Sequence, residues 1–127
     1  MSEENKYAIR VSANAFFLPD QSDEDKDQYV FAYTIKITNV GTVKAKLISR
    51  HWVITDAESK VQEVRGMGVI GEQPVLAPGE SFEYTSGSSL ETSVGTMRGV
   101  YHMAAEDGTK FDAVIPEFTL SVPRVLH

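Results

Sequence analysis

Apolar and polar residues alternate with a period of two along most of this 127-residue chain. The pattern is clearest from Tyr29 to Ile37, where Tyr29, Phe31, Tyr33, Ile35 and Ile37 share one parity and Thr34 and Lys36 the other. Successive side chains of a strand point to opposite faces, so this stretch predicts a strand with one buried face. Residues 6–18 read the same way and end at Pro19, and residues 80–84 set Phe82 and Tyr84 on one side. Residues 96–106 place Met97, Tyr101 and Met103 against Arg98, Val100 and His102. Residues 44–55 carry apolar groups on both parities, Ile48, Trp52 and Ile54 against Leu47 and Val53, which predicts a central strand partly covered on both faces. Residues 60–65 predict a short strand. Residues 110–122 predict another, in which Pro116 requires an edge position, a bulge or a switch between sheets.

Turn signals separate these stretches. They include Asn39-Val40-Gly41, Asp56 to Ser59, Pro78-Gly79 and the hairpin dipeptide Asp107-Gly108. The run from Ser86 to Gly95, rich in Ser, Thr and Gly, predicts a loop. No stretch keeps a helical period. The predicted fold is therefore all-β, an antiparallel two-sheet β-sandwich, forming a single domain over residues 1–127.

Composition narrows the function. The formal charge of −6 argues against a general affinity for nucleic acid, which needs a basic face. Lys44, Lys46 and Arg50 share a parity and read as solvated surface rather than as such a face. The absence of cysteine excludes disulfides and thiolate-ligated metal. No apolar run reaches the roughly 18–20 residues of a membrane span. The start, Met1-Ser2-Glu3-Glu4-Asn5, lacks the basic and apolar regions of a signal peptide. A cytoplasmic protein without membrane insertion is the expectation, and it cannot itself be a channel or transporter.

One string invites a chemical reading. Arg65 is followed by Gly66-x-Gly68-x-x-Gly71, the spacing of a dinucleotide fingerprint. That fingerprint works because a helix opens on its last glycine and presents free N–H groups to a pyrophosphate. Here Glu72-Gln73-Pro74 and then Pro78-Gly79 follow, leaving no room for a helix. A phosphate-containing small molecule could still be held by loop amides, with Arg65, Gly66, Gly68 and Gly71 as the binding residues. The plainer reading is a strand connection needing positive φ. The same loop carries Met67, Val69 and Ile70, which together could present an apolar tip to an unidentified protein partner; a homodimer is also allowed.

Other chemistry is thinly supported. His51 and His102 lie on predicted strands, and with Asp56 or Asp112 they could form a two-histidine, one-carboxylate metal site, but no short ligand spacing backs it. His127 is terminal and expected to be mobile. Asp23, Asp25 and Asp27 match the first ligands of a calcium loop, which then fails at Gln28 and Thr34. The serines lack a nucleophile elbow. No catalytic residue, metal site or cofactor is assigned.

Four motifs in order carry a family resemblance. They are Arg50-His51-Trp52-x-Ile54-Thr55-Asp56; Arg65 to Pro74 followed by Leu76-x-Pro78-Gly79-x-x-Phe82-x-Tyr84; Gly95-x-Met97-x-Gly99-x-Tyr101-x-Met103; and Ile115-Pro116-x-Phe118-x-Leu120. Together they closely resemble the bacterial ApaG family over nearly the whole chain. The resemblance implies a fibronectin type III-like or immunoglobulin-like sandwich and an association with cobalt resistance and magnesium efflux, as an accessory rather than a transporter. Domains of this family also stand beside others in larger eukaryotic proteins, which implies protein binding. The family's glycine string has prompted a pyrophosphate suggestion, mapping here onto Gly66, Gly68 and Gly71. It implies no catalytic set.

Overall fold

The alternating stretches become strands in a computed structural model, which describes residues 6–123. In chain order they are β1 (Ile9–Phe17), β2 (Tyr29–Asn39), β3 (Ala45–Asp56), β4 (Val61–Met67), β5 (Val75–Leu76), β6 (Ser81–Leu90), β7 (Val94–Ala105) and β8 (Lys110–Ser121). Between β1 and β2 run two short 3-10 turns, Pro19–Gln21 and Glu24–Lys26. Among the described residues no α-helix forms, and no helix is long and apolar enough to cross a membrane. The acidic start and His127 lie outside the described residues.

Pairing is antiparallel throughout. One sheet has the order β1-β2-β6; the other runs β4-β3-β7-β8, with the short β5 beside β3 on the side that β4 occupies further along. Three strands therefore face four long ones and the short β5, as in a fibronectin type III or immunoglobulin-like sandwich. The inward parity of each strand fills the space between. Phe31, Ile35, Ile37, Leu47, Tyr101 and Leu120 are fully buried there. Trp52 anchors the centre, meeting the rings of Tyr33 at 5.4 Å and Phe118 at 5.9 Å. Edge-on aromatic pairs of this kind hold the two sheets together beyond simple area burial.

The structure departs from the expectations from sequence in three places. A bulge at Ile48 shifts the β3–β7 register between Leu47 and Ser49. Leu47 and Trp52 consequently face the same interior despite opposite parity; β3 is central, between β4 and β7, and its outer face at Ser49, His51 and Val53 is only partly covered. Arg50, expected at the surface with Lys44 and Lys46, turns inward opposite Tyr101. The second departure is at residues 86–95: β6 continues through the Ser- and Gly-rich run to Leu90, and β7 begins at Val94, so only a tight connection remains. In the third, β4 runs on to Met67 and takes in Gly66. Pro116 sits at a bulge on the edge strand β8, where the register shifts opposite Met97 and Gly99.

Candidate functional site

The glycine string folds as the end of β4 and a tight turn. Gly66 pairs with Arg50 within the sheet. Gly68 has φ of 63° and its N–H donates to the Ile48 carbonyl at 2.8 Å. Val69 and Glu72 exchange N–H···O bonds of 2.8 and 2.9 Å around Ile70 (φ 44°) and Gly71 (φ 79°). Two successive left-handed residues inside one closing pair make a turn of the mirror type that joins hairpins. Beyond it the Pro74 carbonyl accepts from the Leu47 N–H, and β5 pairs with β3, so the chain stays extended where a fingerprint would need a helix.

Each glycine has a steric reason of its own. A Cβ on Gly66 would lie 2.8 Å from Arg50 Nη2. On Gly68 it would lie 2.2 Å from the Glu72 carbonyl oxygen. Gly71 meets no such obstacle within 4 Å and is required by its φ. Arg50 fills the space that Gly66 leaves, its Nη1 donating to the carbonyls of Met67 at 3.1 Å and Gly68 at 2.7 Å. The guanidinium thus ties the turn to β3.

The expected site residues separate. Arg65 stands on the outer face of the four-strand sheet, with its side chain 71% exposed and 3.6 Å from Glu63. The amides of Gly68 and Val69 are already bonded to carbonyls. Met67 and Ile70 project into solvent, 67% and 54% exposed. Val69 does not join them: at 1% exposure it belongs to the core, so the expected apolar tip of three reduces to two. A turn this short must drive one side chain back onto the sandwich, and Val69 supplies it.

The histidines do sit on adjacent strands, His51 opposite Val100 and His102 opposite Ser49, on one outer face. Each is held by a different carboxylate, His51 Nε2 by Glu63 at 2.7 Å and His102 Nδ1 by Asp112 at 2.9 Å. Asp56 is elsewhere, accepting from the N–H groups of Glu58 and Lys60. Among the described residues no group of three or more histidines and carboxylates is placed to hold a metal ion.

Sequence reasoning missed a cleft of about 310 Å³ where the edges of β4 and β6 part. Tyr33, Trp52 and Met97 form its floor, and Arg50, Gln62, Ser86 and Ser88 its polar rim. Ser86 and Ser88 keep the inward parity of Phe82 and Tyr84, opposing Tyr33 and Phe31 across β2. Among the described residues neither hydroxyl bonds another side chain, and Arg50 meets no carboxylate. The available signal was the phase of these serines, in step with the buried tyrosines before them. Next to Arg50, the hydroxyls of Tyr84 and Tyr101 bond each other inside the core. Burial pushes the Tyr84 hydroxyl up to about 12 and raises that of Tyr101 further.

The ApaG domain profile matches residues 19–105. The chain is 68% identical over 127 residues to Protein ApaG of Aromatoleum aromaticum and 66% identical to that of Thiobacillus denitrificans, in each case covering 100% of both sequences. The crystal structure of an ApaA protein from Bordetella pertussis superposes with a TM-score of 0.92 at 56% identity, covering 95% of this chain and 98% of that one.

Proposed function

The chain belongs to the ApaG domain family, and on that premise we propose that it is a non-enzymatic module that binds a protein partner, linked as an accessory to the cobalt and magnesium handling with which the family is associated. One observation carries the reading: Met67 and Ile70 stand exposed on a turn that is clamped in place. The Arg50 guanidinium, the Gly68–Ile48 bond and the Val69–Glu72 pair fix that turn, so the backbone displaying its two large apolar side chains needs no further ordering on contact. Val75, also exposed, lies on the same edge of the sheet, opposite Lys46 of β3. Methionine and isoleucine held rigidly at a surface suit a small hydrophobic anchor.

Pull-down from a bacterial lysate tests this. Replacing Met67 and Ile70 by Ser is expected to remove the captured partner while leaving the melting temperature within a few degrees. A partner that survives both substitutions would move the contact elsewhere.

The competing reading is a pyrophosphate- or nucleotide-type ligand at the Gly66–Gly71 turn. The donors that the turn's own backbone bonds leave over are the amides of Ile70 and Gly71 and the Arg65 guanidinium. Titration with pyrophosphate, following the amide resonances of Gly66, Gly68, Ile70 and Gly71, decides it. Shifts confined to those amides would support it, and silence there would leave the interaction reading alone.

A further inference from the structure

We propose that the cleft between β4 and β6 receives an extended peptide segment, which adds to the free edge of β6 as a fourth strand and seats an acidic side chain on Arg50. This rests on reading the chain as an interaction module, but it places the contact on a different surface from Met67 and Ile70.

The first support is architectural. Three strands face four long ones and the short β5, and among the described residues β6 closes its sheet with no strand on its outer side. Its ladder with β2 runs from Ser81 to Leu90 without a register shift. Free edges are ordinarily blunted by proline, bulges or inward-pointing charge. β6 shows none of these: its inward positions are Phe82, Tyr84, Ser86, Ser88 and Leu90. A strand added there would have its inward side chains facing the cleft that β4 lines with Gln62 and Val64. Addition of a strand to an edge draws affinity from the backbone and specificity from pockets for alternate side chains.

The second support is chemical. Arg50 is half-buried at the rim, and Nη1 is the nitrogen that holds the turn carbonyls. Its Nη2 and Nε have no carboxylate, although a guanidinium is built to take one in a forked pair. Ser86, Ser88 and Gln62 add neutral donors around it. One cation with neutral donors matches the single charge of a carboxylate better than the multiple charges of a polyphosphate. A neighbouring cleft, which shares Ile54, Gln62 and Ser89 with this one, is lined by Asp27, Asp56 and Glu91 beside Lys60. An acidic side chain is repelled there and drawn to Arg50, which sets the register of the incoming strand.

Trp52, the single tryptophan, forms part of the floor and reports on occupancy. The probes are a blocked heptapeptide, acetyl-Thr-Val-Thr-Glu-Thr-Val-Thr-amide, its twin with Gln for Glu, and sodium acetate. The Glu peptide is expected to shift the β6 amides and change Trp52 emission, with at least tenfold weaker binding by the twin. Acetate is expected to move the Arg50 Nε resonance and leave the β6 amides still. Equal binding of the two peptides, or β6 amides unmoved by either, would overturn the proposal. Arg50→Gln should abolish the preference for the Glu peptide. Because Arg50 also braces the turn, a second variant, Ser86→Val with Ser88→Val, keeps that brace and should weaken the Glu peptide at least tenfold. The Met67→Ser, Ile70→Ser protein should bind the Glu peptide as the parent does. If it does, while the pull-down keeps its partner, the turn surface fails and the cleft stands; if the partner is lost there and both peptides are inert, the cleft fails and the turn surface stands.

Discussion

Gly68 and Gly71 belong to the same string, yet they answer to different constraints. Replacing Gly71 by Ala adds a Cβ in open space at φ 79°, and the left-handed region alone costs an L residue roughly 1–2 kcal/mol. Gly68→Ala adds the same penalty and also drives a Cβ to 2.2 Å from a backbone carbonyl that cannot swing away. Urea denaturation is therefore expected to show a loss of about 1–2 kcal/mol for Gly71→Ala and about 3 kcal/mol or more for Gly68→Ala. Equal losses would mean that the turn relaxes and that its shape is not what the glycines protect. Asn39 is the other single residue with outsized effect. It is buried, its side-chain N–H groups donate to the carbonyls of Val43 and Leu76, and its oxygen accepts from the Gly41 N–H. Asn39→Ala strands three backbone groups, and a destabilisation of about 2–4 kcal/mol is expected by the same measurement.

At the level of strands, legibility depended on whether inward positions were apolar. β2 was readable because every second residue from Tyr29 to Ile37 is large and hydrophobic, and β7 because Met97, Tyr101 and Met103 share a parity. β6 was readable only as far as Tyr84: Ser86 and Ser88 hold core-facing positions, and a polar residue in that phase is indistinguishable from a loop when the pairing partner is unknown. β3 misled in another way. Its bulge at Ile48 reverses the parity of everything before it, so Arg50 looked like surface and Leu47 like the wrong face. The turn at Val69 was legible as a turn, but which of its three apolar residues folds back is a matter of closing geometry. The misreadings of Ser86, Ser88 and Arg50 fall together at the cleft, where the strands carry polar groups inward. Removing that polarity should therefore strengthen the fold. Ser86→Val with Ser88→Val exchanges two half-buried hydroxyls for apolar volume beside Tyr33 and Trp52, and a stabilisation of about 1 kcal/mol is expected in urea unfolding. A marked loss instead would show that the serines are structural. Deleting Ile48 tests the bulge itself. It removes the extra residue, so Leu47 and Trp52 then share a parity and both stay inward, while the Ile48 carbonyl that accepts from the Gly68 N–H and Gln73 Nε2 is lost. Near-ultraviolet dichroism and tryptophan emission are expected to be retained with a lower urea midpoint, and a red shift of the emission would show that the register of β3 depends on the bulge.

The sandwich as a whole is fastened by contacts that cross between its sheets, and one of them titrates. The hydroxyls of Tyr84 on β6 and Tyr101 on β7 bond each other in the interior, where burial disfavours the phenolate of both. In the unfolded chain tyrosine ionises near 10, whereas folded Tyr84 holds its proton to about 12. Folded protein thus binds more protons than unfolded protein across that interval. By linkage the stabilising contribution is intact below pH 10 and falls away as pH rises through 12. Two units on a mostly buried group correspond to about 2–3 kcal/mol, and Tyr101 adds in the same direction. Urea midpoints measured from pH 9 to 12 are expected to fall steeply, and the double variant Tyr84→Phe, Tyr101→Phe to fall less steeply over the same range. Parallel slopes for the two proteins would assign alkaline unfolding to general charge repulsion in a chain already at −6. A shallower slope in the variant would place the failure at this inter-sheet bond, beside Arg50, and so at the rim where the sandwich is open.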